Sequence, residues 1–246
     1  MSHLAHTRPR SATEIIDAAF RFYRAHWGDL AVVSALLLVP PALLTVVTPA
    51  SFHPVIQLTE NLMFLVVLGA TAILVGAAIE EERAISAGET LHRLGRRAIV
   101  VLGAATLTVI LMLIGLFLLV VPGLLIAVWT AVTAPVASLE RVESHKALLR
   151  SRDLVRGHFW HVLGTMVFAW IIMIVVALGA GIVLGAVIEA FGVPEVISDA
   201  FDALLFVALF PFVGVAVTLL YYDLRVRNEG ADLVAMIEAL ETGGRV

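Results

Sequence analysis

The sequence predicts an all-α, polytopic membrane protein with six transmembrane helices arranged as three helical hairpins. Apolar residues make up 61% of the 246 positions and charged residues 15%, against roughly 45–50% and 25% in soluble domains. A soluble core of this size could not enclose so much apolar surface, so we expect lipid to surround the chain. Apolar stretches alternate with short charged links, and every Lys and Arg falls in alternate links.

The longest uncharged stretch, residues 98–139, predicts the central hairpin. As one helix, its 42 residues would measure roughly 63 Å, about twice the ~30 Å hydrocarbon core of a bilayer. Pro122 and Gly123 predict the hairpin turn, because proline lacks a backbone donor and glycine tolerates the dihedral angles of a reversal. Charged pairs flank the stretch on both sides: Arg96-Arg97 and Glu140-Arg141.

The whole chain, residues 1–246, is predicted to form a single membrane domain. Residues 1–28 form a cytoplasmic and interfacial segment, and residues 223–246 form a cytoplasmic tail. Six segments between them have the length and polarity of membrane spans: about 30–47, 62–79, 98–121, 124–139, 162–188 and 203–222. Four prolines inside these spans predict helix kinks: Pro40, Pro41, Pro135 and Pro211.

An amphipathic helix is predicted before each hairpin. The first starts at Ser11, which has Glu14 three residues later in the spacing of a capping box. Its apolar stripe ends at His26-Trp27, immediately before a span. Residues 80–97 repeat the capping-box spacing at Ser86 and Glu89 but lack the His-aromatic pair, and residues 140–161 carry a third amphipathic pattern that ends at His158-Phe159. We expect the three helices to lie in the membrane interface; the alternative for the first is a helix packed on a soluble partner domain.

The distribution of basic residues predicts the orientation. All 16 Lys and Arg lie in the N-terminal segment, the links at 80–97 and 140–161, and the tail. By the positive-inside rule, both termini are cytoplasmic and the chain crosses the membrane six times. Basic and aromatic residues in these segments are predicted to contact lipid headgroups: Arg24, His26, Trp27, Arg150, Arg152, Arg156, His158, Trp160, Arg225 and Arg227.

No catalytic, cofactor-binding or metal site is predicted. The chain has no Cys, which excludes disulfides and thiolate sites. The centres of the spans carry no ionisable residue, which argues against a proton relay. His158 and His161 are spaced i,i+3 with Asp153 nearby, but two histidines without a positioned third ligand indicate interface residues better than a metal site. Neither a nucleophile elbow nor a phosphate-binding loop occurs.

Three stretches, residues 8–30, 147–164 and 219–233, carry a family resemblance: RPRSATEIIDAAFRFYRAHWGDL, ALLRSRDLVRGHFWHVLG and LLYYDLRVRNEGADL. They resemble bacterial membrane proteins of the glycerophosphoryl diester phosphodiesterase membrane-domain type, which implies the cytoplasmic (inner) membrane of a bacterium. The links and tail are each under about 30 residues, whereas a TIM-barrel hydrolase needs roughly 250. The resemblance therefore implies a stand-alone membrane module without the catalytic domain.

The leading functional hypothesis is a non-enzymatic structural or accessory module that binds membrane lipids or partner proteins, with no nucleic-acid partner. A small-residue face at Ala177, Gly181 and Gly185 suits close helix packing in a homo-oligomer or with another membrane protein. One alternative is a small transporter or permease subunit whose proline-kinked helices line a cavity. The other is a membrane lipid-processing enzyme, with interface groups drawn from the following set: Asp223, Arg225 and Arg227, or His158 and His161.

Overall fold

The computed structural model describes residues 9–118, 120–191 and 195–243, and these ranges are helical without any strand. The helices are α1 (Ala12–Ala25), α2 (Trp27–Val47), α3 (His53–Glu80), α4 (Ala87–Arg96), α5 (Ala98–Leu118), α6 (Val120–Trp129), α7 (Thr133–Leu139), α8 (Ser144–Val155), α9 (Phe159–Phe191) and α10 (Glu195–Gly243), with a 3₁₀ turn at Ala50–Phe52. Six segments are long and apolar enough to cross a membrane: Trp27–Leu44, His53–Glu80, Ala87–Leu118, Val121–Leu139, Phe159–Ile188 and Leu204–Glu229. The predicted all-α fold with six candidate membrane spans is confirmed.

Two helices extend beyond their predicted ends. α3 begins at His53 instead of residue 62, with Pro54 in its first turn, where the missing N–H of proline costs no helix bond. α10 continues beyond residue 222, the predicted end of the sixth span, to Gly243. A glycine inside a helix costs only about 1 kcal/mol relative to alanine, so Gly230 does not end α10.

The residues predicted to form the turn of the central hairpin lie inside a helix. α5 ends at Leu118 and α6 begins at Val120, so Pro122 and Gly123 both belong to α6. Pro122 occupies the first turn of α6, where proline is tolerated. Gly123 instead allows close packing, because a Cβ atom on Gly115 of α5 would lie 2.9 Å from the Gly123 Cα.

The fourth candidate span is interrupted. α6 ends at Trp129, α7 starts at Thr133, and a turn occupies the residues between them. In a continuous helix, Pro135 could not donate to the Ala131 carbonyl and its ring would clash with that group. The kink predicted at Pro135 is therefore a break that precedes it by one helical turn. The other prolines in the spans lie within continuous helices: Pro40 and Pro41 in α2, and Pro211 in α10.

α10 is the central helix of the bundle and packs against α1, α2, α3 and α9. Its contact with α3 is close, since a Cβ atom on Gly214 would lie 2.8–3.0 Å from three side-chain atoms of Thr71. α2 also packs on α3, and α5 on α6. The second half of α9, in contrast, exposes large apolar side chains such as Val175 and Ile182, as expected for a surface in contact with lipid.

The short helix α1 lies lengthwise along α10. The backbone N–H of Arg10 donates to Asp223 Oδ1 (2.6 Å), and the Tyr23 hydroxyl donates to the Ala208 carbonyl (2.6 Å). The two contact points on α10 are about 22 Å apart at 1.5 Å per residue, so α1 cannot cross α10 at a right angle. Its apolar side, including Phe22, is buried by α9 and α10. Protein, rather than lipid, covers the face that we expected at the membrane interface.

The other two amphipathic helices, α4 and α8, also pack their apolar sides on the bundle. α4 buries Thr90 and Leu94, and α8 buries Leu154 and Val155. α4 is attached to the first span, because the N–H of Ala87 donates to Asp29 Oδ1 (2.9 Å). All three amphipathic helices, α1, α4 and α8, are therefore integral parts of the packed bundle.

Candidate functional site

One end of the bundle collects most of the polar contacts between helices. We call it the basic end and define it by the following segments: residues 80–81, 93–97, 140–161 and 221–229. Adjacent tyrosines of α10 donate to two different carboxylates there, Tyr221 to Glu140 Oε1 (3.0 Å) and Tyr222 to Glu80 Oε1 (2.8 Å). These bonds attach the ends of α3 and α7 to α10.

Arginine side chains extend this network to α8. The Nη2 of Arg150 lies 2.6 Å from Glu229 Oε1, and its Nε lies 3.4 Å from Glu140 Oε2. Arg225 pairs with Glu229 four residues along α10 (3.4 Å) and lies 3.9 Å from Glu80. Two of the predicted headgroup contacts, Arg150 and Arg225, therefore bind carboxylates of the protein.

Asp223 is the centre of a second polar cluster. Its side chain is wholly buried, and its Oδ2 lies 2.9 Å from His161 Nε2 and 2.7 Å from Arg227 Nε. Its Oδ1 accepts from the Arg10 backbone, and Arg227 Nη2 donates to the Arg10 carbonyl (2.6 Å). Both carboxylate oxygens are occupied, so the cluster fastens the start of α1 and of α9 to α10.

A polar cavity of about 610 Å³ opens beside these networks. The end of α3 forms one wall, α4 and Arg97 form a second, and the end of α7 with Arg141 forms the third. Its lining includes four guanidinium groups and two carboxylates, an excess of two positive charges: Arg93, Arg96, Arg97, Arg141, Glu80 and Glu81. The remaining lining residues are small or apolar: Ile73, Gly76, Ala77, Ser138 and Leu139.

Two of these arginines hold the walls together. Arg93 forms a forked ion pair with Glu81 (Nη2–Oε2 3.0 Å) and also reaches Glu89 (2.7 Å). The hydrogen bonds from Arg93 hold the pKa of the Glu81 carboxyl below its ordinary value. Arg97 donates to the carbonyls of Ala137 (3.2 Å) and Glu140, which connects the start of α5 to the end of α7.

The side chains of the other two arginines of the cavity have no partner in the described part of the chain. Neither the Arg96 nor the Arg141 side chain forms a hydrogen bond or ion pair with any other residue that the structure describes, and both residues are exposed. Glu80 and Glu81, the carboxylates of the same cavity, are already bonded to Tyr222 and Arg93. The cavity therefore presents two uncompensated guanidinium groups, which is an arrangement suited to a bound anion.

The remaining predicted interface residues are spread over several surfaces. The Arg24 guanidinium lies over the Phe20 ring (5.8 Å), and that of Arg152 lies over the Trp129 ring (5.2 Å). Arg156 is exposed, as are Trp27 (52%) and Trp160 (80%).

The predicted histidines lie in more enclosed surroundings. His26 stacks on Phe22, with its Nδ1 3.1 Å from the Phe22 carbonyl. The Nδ1 of His158 is buried and has no partner among the described residues. The structure thus brings His161, Asp223 and Arg227 together, but it does not gather the predicted headgroup contacts into one site.

Sequence reasoning missed the cavity, although its signal was present. The charged pairs flanking the central hairpin supply three of the cavity arginines, Arg96, Arg97 and Arg141. The sequence has charged residues at both ends of the uncharged stretch 98–139. Antiparallel pairing of the two spans would bring these ends together. The sequence pattern does not show where α3 lies, and the end of α3 forms the remaining wall of the cavity.

The part of the chain that the structure describes contains no group of three or more His, Asp or Glu residues able to hold a metal ion. No family model, curated protein or solved structure matches the chain. The resemblance to the glycerophosphoryl diester phosphodiesterase membrane domain therefore stays a prediction.

Proposed function

We propose that the protein is a non-catalytic accessory module of the bacterial inner membrane that holds anionic phospholipids at its cytoplasmic face. In this proposal the six spans form three hairpins, α2–α3, α5–α6/α7 and α9–α10, and both termini are cytoplasmic. The basic end then lies at the level of the inner-leaflet headgroups. Each basic residue near such a surface contributes about 1 kcal/mol of attraction to anionic lipid.

One observation carries this proposal. At the basic end, the carboxylates of Glu80, Glu140, Glu229 and Asp223 are bonded within the protein, whereas the side chains of Arg96 and Arg141 have no partner among the described residues. The segments of the basic end carry ten Lys and Arg residues against seven Asp and Glu residues, so their net charge is positive. The buried Asp223 carboxylate, in contrast, is bonded to His161, Arg227 and the Arg10 backbone and holds three segments of the bundle together.

The test is the composition of the lipid that the protein retains. The chain is extracted into a neutral detergent from membranes containing phosphatidylglycerol and phosphatidylethanolamine, and the bound lipids are quantified by mass spectrometry. We expect the anionic lipid to be enriched over its share in the membrane. Retention at the membrane ratio, or lipid turnover by the purified protein in liposomes, would contradict the proposal.

A second candidate function, solute transport, is supported by a cleft within the bundle. This cleft of about 570 Å³ lies between α3, α5, α6, α9 and α10 and has a largely apolar lining. Thr130 and Ala131, at the break between α6 and α7, belong to its lining, and broken helices line the substrate sites of some transporters. Solute flux in proteoliposomes that is abolished by filling the cleft with Ala131→Trp would favour this function instead.

A further inference from the structure

We infer that the cavity between α3, α4 and the end of α7 is a specific binding site for a phosphate group, with Arg96 and Arg141 as its ligands. The inference deepens the proposed function and rests on it, because it assigns anion binding to one cavity rather than to the whole basic end. A phosphate group occurs both in phospholipid headgroups and in soluble anions, and the cavity chemistry is the same for both.

The ligand chemistry follows from the guanidinium groups of Arg96 and Arg141, which no described residue pairs. Arginine presents parallel N–H donors that match two oxygens of a phosphate, and such charge-assisted pairs are stronger than neutral hydrogen bonds. Arg96 lies at the end of α4 and Arg141 lies just after α7, so the two approach the cavity from different walls. An anion between them would satisfy donors that the described residues leave unpaired.

The walls are fixed by bonds that do not involve the proposed ligands. Arg93 ties α4 to Glu81 at the end of α3, and Arg97 ties α5 to the carbonyl groups of Ala137 and Glu140. A site whose supporting residues are already bonded loses little entropy when the anion binds. The volume of about 610 Å³ falls within the roughly 300–1,000 Å³ of small-molecule sites.

The lining of the cavity changes from polar to apolar along α3. Glu80, Glu81 and the arginines form its polar part, whereas Ile73, Ala77 and Leu139 contribute apolar atoms. Ile73 lies seven residues before Glu80 on α3, or about 10 Å further into the candidate span. The polarity thus changes along α3 in the order in which a phospholipid changes from headgroup to acyl chain.

The experiment measures ligand-induced thermal stabilisation of the full chain in dodecyl maltoside, with three probes: dioctanoyl phosphatidic acid, dioctanoyl phosphatidylcholine and inorganic phosphate. The test variant is Arg96→Gln/Arg141→Gln, and the matched control is Arg24→Gln/Arg156→Gln, which removes the same charge outside the cavity. Arg96→Lys/Arg141→Lys keeps the charge but loses the forked donor geometry.

We expect phosphatidic acid to stabilise the wild type at lower concentration than phosphatidylcholine. The Gln variant should require roughly 25-fold more phosphatidic acid, at about fivefold for each lost arginine, the Lys variant an intermediate amount, and the control less than the Gln variant. Equal stabilisation by inorganic phosphate would support the site and identify a soluble anion as its ligand.

The inference is overturned if the Gln variant and the control lose affinity equally, or if no phosphate-bearing probe stabilises the wild type. Because Arg96 and Arg141 have no described protein partner, their replacement should leave the unfolding midpoint without ligand unchanged. Equal loss in both variants, with anionic lipid still enriched in extracts, would leave the proposed function standing and reject the cavity alone. Enrichment absent from the wild type itself would reject the proposed function.

Discussion

The imidazole Nε2 of His161 lies 2.9 Å from Oδ2 of Asp223. The same carboxylate also binds the Arg227 side chain and the backbone N–H of Arg10. One buried side chain therefore joins α9, α10 and the segment before α1. The bond from Arg10 to Asp223 places the segment before α1 beside α10, the last helix of the described chain. The stability of the bundle should depend on it strongly.

Asp223→Ala should lower the free energy of unfolding by about 3–5 kcal/mol, because it leaves a partly buried arginine, an imidazole and a backbone N–H without their shared acceptor. Unfolding by titration with sodium dodecyl sulfate measures the change. Asp153→Ala is the control, since Asp153 is an exposed carboxylate on α8 without an ion pair among the described residues. Equal effects of the two substitutions would show that the cluster is not a stabilising contact.

Gly214→Ala should destabilise the protein by about 1–3 kcal/mol, the usual cost of overpacking. The new methyl group would meet Thr71 Cβ at 2.9 Å, an atom fixed to the backbone of α3. Gly181→Ala is the matched control, because nothing lies within 4 Å of the Cβ position there. We expect the control to leave thermal stability unchanged or raised; a loss at Gly181 as large as that at Gly214 contradicts the assignment of this close contact.

Tyr23→Phe should cost about 1 kcal/mol through loss of the hydrogen bond to Ala208. The substitution keeps the edge contact with Phe212 at 6.1 Å. This hydrogen bond lies close to Pro211 in α10. Pro211 has no N–H to donate to the Val207 carbonyl, so α10 lacks one backbone hydrogen bond there. Thermal unfolding measures the cost, and stability equal to the wild type would mean that the hydroxyl contributes nothing to the docking of α1.

Lowering the pH should remove the contribution of the Glu81 ion pair. Hydrogen bonds from Arg93 hold the pKa of Glu81 below its ordinary value of 4.5, so this contribution is present above that value and is lost as the pH falls through the folded-state pKa. The carboxylate is partly exposed, so the effect should stay below about 1 kcal/mol.

The measurement for Glu81 is the unfolding midpoint from about pH 6 to about pH 3.5, a range that brackets the ordinary carboxyl values. Glu81→Gln should have a shallower decline than the wild type. Glu82→Gln, the neighbouring carboxylate without a described ion pair, should follow the wild-type curve. Parallel curves for wild type and Glu81→Gln would contradict the predicted pKa shift.

Single-cysteine labelling tests the proposed orientation, and the chain has no native cysteine to interfere. Ser51→Cys lies between the first two spans and Lys146→Cys lies on α8. With both termini cytoplasmic, a membrane-impermeant maleimide should label position 51 in intact cells and position 146 only after lysis. The reverse pattern would invert the proposed topology.

The membrane character and the six spans could be predicted from the sequence because they depend on composition and segment length alone. The capping box at Ser11 and Glu14 was also predicted and occurs, with Ser11 N–H donating to Glu14 (2.8 Å) and Glu14 N–H to Ser11 Oγ (3.3 Å). These features are local, so the residue pattern determines them.

Long-range features could not be predicted in the same way. Pro122 and Gly123 have the chemistry of a turn, but they occupy α6, because proline is equally compatible with the first turn of a helix. Arg150 pairs with Glu229 and Arg225 lies near Glu80, and both of these carboxylates belong to helices far away in the chain. A hydrophobic pattern shows which face of α1 is apolar, but it does not distinguish burial by lipid from burial by α10.

The bond between Arg10 and Asp223 also has a consequence for biogenesis. The two residues are 213 positions apart, so α1 emerges from the ribosome long before the helix that covers it has been made. During that interval the apolar side of α1 has no permanent neighbour and must be shielded by lipid or by the insertion machinery. α1 can therefore reach its final position only after α10 has been synthesised.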